Sequence, residues 1–247
     1  VGRILQRQCA DTVKRVSLEL GGDAPFLVFA DADLDRAVAD AVTAKFQTSG
    51  QDCLAANRLL VEAPIYDAFC DRFARAVEAL GVGPGFSPNV EIGPLINPRA
   101  VEKCRAQVAD ALEKGARLVL RGGSVDLGPC YFAPTVMADV TPDMRNFSEE
   151  TFGHVAAITP FSDEGEAVAL ANASDYGLAA YLYTSDAKRI WRVGDALEYG
   201  MVGINTPSFA GPPITFGGMK QSGLGREAGA YSFADYTETK YLCMGLT

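Results

Sequence analysis

The chain has 247 residues, 48% of them apolar, enough to bury the core of one large domain or two small ones. Its net charge of -9, with no basic stripe, argues against nucleic acid and anionic membrane surfaces as main partners, because both repel it. Six scattered cysteines, a single histidine and no C-x-x-C spacing argue against a zinc site and a secreted disulfide scaffold, and point to a reducing, cytoplasmic compartment.

Residues 1–8 (VGRILQRQ) begin without methionine, which leaves room for an upstream segment. Residues 24–29 (APFLVF) form a short apolar run that reads as a buried strand. Asp31 or Asp33 then caps a helix in which Leu34, Val38, Ala41, Val42 and Phe46 share one face, ending near Ser49-Gly50. A strand follows at 58–61. Pro64 opens a helix whose Ile65, Phe69, Phe73, Val77 and Leu80 recur every three or four residues, and the glycines and proline of 81–85 close it. Asn97-Pro98 starts a further helix that runs to Lys114 and stops at Gly115, with a strand behind it at 116–120. Strands at 154–160, 178–183 and 201–204 alternate with helices starting from Asp163 and Asp186. Such alternation implies an α/β fold with a largely parallel sheet flanked by helices.

The stretch FAGPPITFGGMKQSGLGREAG, 209–229, breaks this rhythm and is expected to be an irregular loop draped over the surface or across a site. The final YTETKYLCMG alternates as a strand, yet the domain before it is already complete. Such a strand pairs with another subunit, so a homo-oligomer is expected.

Three positions invite a chemical reading. Cys53, in SGQDC, is either a small buried hydrophobe or an exposed nucleophile. Gly50, Gln51 and Asp52 are poor core companions, and a glycine there permits a tight path that frees backbone N–H groups. Glu19, in LELGGD, is either a strand-end glutamate with its head in water or, if buried, a carboxylate whose raised pKa suits a general base. Glu150, in SEETFGH, is either a solvated turn acid or a holder of ribose hydroxyls. His154 opens an apolar strand and reads as structural. The glycines at 217–229 miss the dinucleotide fingerprint by one residue, and no phosphate-loop Gly-Lys-Ser/Thr occurs.

Together, LELGG, GQDC thirty-four residues later, EETFG and FGGMKQSGLGRE resemble the aldehyde dehydrogenase superfamily in order and spacing. The resemblance covers the C-terminal half of such an enzyme. AANR after the cysteine and the ending TKYLCMG look most like the succinate-semialdehyde dehydrogenase branch. The resemblance implies that Cys53 attacks a small aldehyde, that hydride passes to NAD or NADP, and that Glu19 activates the water that hydrolyses the resulting thioester. It also implies that Glu150 binds the nicotinamide ribose and that Phe152 lies against the ring. The oxyanion would meet the Cys53 backbone N–H and an asparagine from the missing half. The presence of Glu19 favours release to water over release to coenzyme A.

Two substrate-pocket positions follow from the same resemblance. Gln47 stands where the branch places an arginine for the substrate carboxylate, and Ser208 lies in the substrate loop TPSFAGPPI. Ala55 replaces a second cysteine that forms a redox disulfide in some members, and His154 replaces a proline. The implied division is 1–20 as the end of a truncated cofactor domain, 21–222 as the catalytic domain and 223–247 as an oligomerisation tail. The chain is then a fragment of a longer product and needs the missing N-terminal cofactor domain as its partner. Two rival readings are a non-catalytic interaction domain of the same fold and a cysteine hydrolase using Cys53 with Glu19.

Overall fold

The computed structural model describes residues 1–246. Its centre is a seven-stranded sheet. From one edge to the other the strands are Met201–Ile204, Ala179–Tyr183, Ala24–Val28, Ala56–Glu62, Val155–Phe161, Thr135–Ala138 and Arg117–Leu120. Every neighbouring pair is parallel except the last, where Arg117–Leu120 runs antiparallel to Thr135–Ala138. Central strands with both faces covered read as continuous apolar runs, and all five residues of Ala24–Val28 are buried.

Side chains alternate across the sheet and so build two cores. Phe26, Val28, Leu59, Val61, Ile158, Tyr181 and Tyr183 face one way, against the helices Leu34–Phe46 and Tyr66–Glu78 through Phe46, Phe69 and Phe73. Leu27, Phe29, Leu60, Ala157, Phe161 and Leu182 face the other, against Pro98–Glu113, Glu164–Asn172 and Ala187–Ala196 through Val101, Ala111, Ala167 and Val193. The helix starts follow the expected chemistry. Asp33, Asn97, Asp163 and Asp186 each accept a backbone N–H of their own first turn. Asp31 caps no helix and instead takes the hydroxyls of Thr184 and Ser185 and an ion pair with Arg189 at 2.8 Å. Pro64 sits in a single 3-10 turn, Ala63–Ile65, and the α-helix proper begins at Tyr66.

Three features differ from expectation. Thr135–Ala138 is a fully buried strand in the sheet although its short apolar run carries no period. The glycine-rich stretch is not wholly irregular: Met219–Lys220 and Gly223–Leu224 form two-residue antiparallel bridges with Tyr176–Gly177 and Leu18–Glu19. Among the described residues the terminal segment expected as a strand has no ladder partner, and residues 237–246 take no regular structure, with Tyr241, Leu242 and Met244 exposed. A strand needs a hydrogen-bonded neighbour, which this single chain does not offer that segment. No helix among the described residues is long and apolar enough to cross a membrane.

Candidate active site

Cys53, Glu19 and Glu150 lie on three loops that feed three consecutive strands of the sheet. Glu19 leads into Ala24–Val28, Cys53 into Ala56–Glu62, and Glu150 with Phe152 into Val155–Phe161. Parallel neighbours are about 4.8 Å apart, so groups just ahead of adjacent strands are brought together by the sheet itself. The result is a cleft of about 500 Å³ lined by Glu19, Leu20, Gly21, Gln51, Asp52, Cys53, Glu150 and Phe152. All four residues expected to work on the aldehyde and the nicotinamide share it.

The cysteine arm leaves the Leu34–Phe46 helix through consecutive left-handed residues, Thr48 (φ 53°), Ser49 (φ 58°) and Gly50 (φ 63°). Left-handed non-glycine residues persist only where surroundings hold them. Here Ser49 Oγ accepts the Gly93 N–H at 2.9 Å, and the Gln51 amide accepts from Ile96 N and donates to Pro94 O. Asp52 closes the turn by accepting the Leu54 N–H at 2.9 Å. Gly22 passes against this turn so closely that any side chain there would strike the Cys53 carbonyl oxygen.

The Glu19 arm is held from the far end of the sequence. Glu19 is bridged to Gly223, Leu20 N donates to Ser222 O at 3.0 Å, and the Ser222 hydroxyl donates to Gly21 O at 2.8 Å. Ser222 Oγ also accepts the Gly177 N–H. The Cys53 thiol and the Glu19 carboxylate line the same cleft and influence each other's protonation. Loss of hydration pushes the Glu19 carboxyl up, against the pull of the neighbouring Cys53 thiol, with the Glu227 and Asp52 charges adding to the rise. Burial pushes the thiol up to about 12, with the Glu19 and Asp52 charges adding to the effect, so the resting sulfur is protonated.

Glu150 accepts the Gly22 N–H at 2.8 Å. Burial raises its pKa, while that bond and the Lys103 charge oppose the rise. The flanking backbone is pinned by Asn57, whose amide accepts Thr151 N at 2.9 Å and donates to Glu149 O at 3.2 Å and Asp23 Oδ1 at 2.7 Å. Asp23 in turn pairs with Arg58 at 3.2 Å, both fully buried, and the Arg58 guanidinium lies over the Phe147 ring. Lys45 is buried nearby; desolvation brings its pKa down to about 8 against the charges of Cys104, Asp23 and Glu150. Phe152 takes a left-handed backbone, φ 49°, lines the cleft and is 37% exposed.

Sequence reasoning missed Ser222, Asn57, Asp23, Arg58 and Lys45. The only signal was polar residues inside runs that otherwise read as core or loop. His154 lines neither this cleft nor its neighbours; it is buried, its Nδ1 lies 2.5 Å from Phe132 O, and burial lowers its pKa.

Two further cavities adjoin. One, of about 160 Å³, collects Gln47 and Ser208 with Tyr181 and Phe209, and shares Asp52 with the cleft. The other, of about 620 Å³, shares Glu150 and Gly21 with the cleft. It runs to the start of the helix Gly2–Ala10, past Arg3, Gln6 and Lys220. The lining brings the cations Arg3 and Lys220 together with the Glu150 carboxylate, groups of the kind that phosphates and ribose hydroxyls require, so these residues fit a dinucleotide. Among the described residues no group of His, Cys, Asp and Glu side chains is arranged to hold a metal ion.

The model of the aldehyde dehydrogenase family matches residues 1–242. An aspartate-semialdehyde dehydrogenase (non-phosphorylating) of Halomonas elongata is 54% identical over 245 residues, covering 99% of this chain and 50% of that protein. An NADP-dependent succinate-semialdehyde dehydrogenase of Escherichia coli is 50% identical over 246 residues, covering 100% of this chain and 51% of that protein. The crystal structure of a succinate-semialdehyde dehydrogenase from Burkholderia pseudomallei superposes with a TM-score of 0.96 at 51% identity, over 99% of this chain and 51% of that one. The chain thus spans about half the length of the curated relatives it matches.

Proposed function

As this chain belongs to the aldehyde dehydrogenase family, we propose that it is the catalytic half of an enzyme that oxidises a small aldehyde, of semialdehyde size, to the carboxylic acid with NAD or NADP. The observation that carries the reading is the Cys53 thiol and the Glu19 carboxylate in one cleft that also holds Glu150 and Phe152.

The chain's own residues supply the following. The sulfur of Cys53 adds to the aldehyde carbon as its thiol proton passes to solvent. The carbonyl oxygen becomes an alkoxide, met by the Cys53 backbone N–H; one such donor is typically worth about 3 kcal/mol. A bound nicotinamide supplies the acceptor for the hydride that leaves this carbon. The Glu150 carboxylate fits the ribose hydroxyls, and Phe152 the ring. What remains on Cys53 is a thioester. Glu19, made basic by partial burial, takes a proton from water, whose oxygen attacks the acyl carbon. The acid leaves and Cys53 departs as thiolate, a better leaving group than an alkoxide from serine.

The relatives named above act on aspartate semialdehyde and succinate semialdehyde. For this chain the proposal extends to a cofactor domain ending in residues 1–20, a catalytic domain over 21–222, an oligomerising tail over 223–247 that makes a homo-oligomer, and a cytoplasmic location. The test uses the full-length protein. Glu19→Gln should retain one burst of reduced cofactor per active site and lose steady turnover by roughly 100-fold or more, and Cys53→Ser should lose both. Equal steady rates in Glu19→Gln and the parent would remove the base assignment, and turnover in Cys53→Ser would remove the nucleophile.

A further inference from the structure

The ribbon that carries Glu19 has two ladder rungs, Leu18 with Leu224 and Glu19 with Gly223. An antiparallel pair this short is not stable by itself. Its inner end is fastened by Ser222, through the Leu20 N–H and the Gly21 carbonyl. Its outer end is fastened by a side chain from the tail. Asp235, at the end of the 3-10 turn Ser232–Asp235, takes two hydrogen bonds on the same oxygen, Oδ2: the Ser17 hydroxyl at 2.8 Å and the Arg226 N–H at 3.2 Å. Ser17 lies two residues before Glu19 and Arg226 three after Gly223, so one carboxylate joins both strands of the ribbon where the ladder stops.

Gly225 makes room for the join, since a methyl group there would strike both Asp235 Oδ2 and Ser17 Oγ. The Ser17 and Arg226 donors, then the Arg15 and Arg226 charges, hold the Asp235 carboxyl below the usual carboxylate range, so the acceptor keeps its charge at neutral pH. Arg15 docks the tail separately, on the carbonyls of Ala234 and Thr237 and on Glu238, and these contacts do not use the Asp235 carboxylate. A strand held at one end pivots about it, whereas a residue between two fastenings has a fixed position. Glu19 is that residue. The loop of Cys53 is fastened elsewhere, to Gly93, Pro94 and Ile96.

We propose that Asp235 is a positioning residue for the base: with Ser17 it fixes where the Glu19 carboxylate stands, so that hydrolysis of the thioester depends on this tail side chain while its formation does not. The proposal rests on the dehydrogenase reading for the reaction, and on the ribbon alone for the mechanical link.

The experiment uses the full-length protein with Asp235→Ala, Asp235→Asn and Ser17→Ala. Hydrogen–deuterium exchange reads the link without any reaction. Asp235→Ala should speed exchange across residues 17–21 at least about threefold and leave 51–56 as in the parent. Rapid mixing with succinate or aspartate semialdehyde and NAD or NADP reads the two half reactions. In Asp235→Ala the burst of reduced cofactor should keep its rate, the steady phase should slow about tenfold or more, and intact mass should show the acyl group accumulating on the enzyme. Asp235→Asn places an amide oxygen where Oδ2 stood, accepts both donors, and should stay within about threefold of the parent. Ser17→Ala should also slow the steady phase, and the double alanine variant should be no slower than Asp235→Ala, because both changes open one link. Ser17→Ala serves if Asp235→Ala does not fold. Unchanged exchange at 17–21, a steady phase within about twofold of the parent, or burst and steady phase slowed equally would overturn the proposal. Faster exchange at 17–21 in a protein that oxidises no aldehyde would uphold the link and overturn the dehydrogenase reading instead.

Discussion

Gly223→Ala separates the two halves of the proposed reaction without touching either reacting group. Gly223 has φ 135°, a conformation that side chains rarely adopt, and lies in register with Glu19. A methyl group there would overlap the Leu18 carbonyl, with the carbonyl carbon only 2.9 Å away. The bridge must therefore open by about 1 Å, carrying Glu19 with it, and a misplacement of that size lowers a rate by about 100-fold, near 2.7 kcal/mol of barrier. Backbone strain adds about 1–3 kcal/mol of destabilisation, or several degrees in Tm. Because Cys53 hangs on a different loop, the first turnover should survive. Stopped-flow absorbance of reduced cofactor in the full-length protein should record a burst of near-normal amplitude followed by a slow steady phase. Gly85→Ala, at a glycine with open space around it, controls for the generic substitution. A steady phase within about twofold of the parent would refute the idea that the Gly223 bridge positions the base.

Two more outcomes follow from the same geometry. Burial, then the Glu19 charge, raises the Cys53 thiol pKa to about 12, so removing that charge in Glu19→Gln favours the thiolate, moves the inflection of alkylation rate against pH downward, and speeds iodoacetamide labelling at pH 8. An unchanged or higher inflection would contradict the contact between the two side chains. Asn57→Ala leaves Thr151 N–H and Asp23 Oδ1 without their partner, which costs about 1–3 kcal/mol for each group in denaturant unfolding. It should also raise KM for the nicotinamide cofactor more than it lowers kcat, since the backbone on both sides of Glu150 comes loose. Destabilisation with an unaltered cofactor KM would reduce Asn57 to a purely structural role.

The parallel α/β fold was legible because apolar periodicity and capping residues agree along most of the chain. Leu34–Phe46 behind Asp33 and Pro98–Glu113 behind Asn97 needed no tertiary information. Thr135–Ala138 was not legible: four buried residues without alternation look the same whether or not a neighbour strand exists. The alternation at 236–245 states a preference and not a partner, since the strand expected there pairs with another subunit. At the site, Cys53, Glu19 and Glu150 were each ambiguous read singly, and it is adjacency of three strands, a property of sheet order, that brings them together. Asn57, Asp23 and Arg58 stayed hidden because a buried polar network has no period, and its members meet only after Ala24–Val28, Ala56–Glu62 and the Glu149–Thr151 backbone have assembled.

The Ser222 clamp imposes a timetable on biogenesis. Its hydroxyl and the Gly21 carbonyl it grips are 201 residues apart, so on a ribosome adding about 5–20 residues per second the first waits roughly 10–40 s for the second. Throughout that interval the nascent polypeptide carries both the sulfur and the carboxylate with nothing to hold them in register. A chain broken before residue 222 therefore lacks the hydroxyl that grips Gly21, and the segment bearing Glu19 loses that tether.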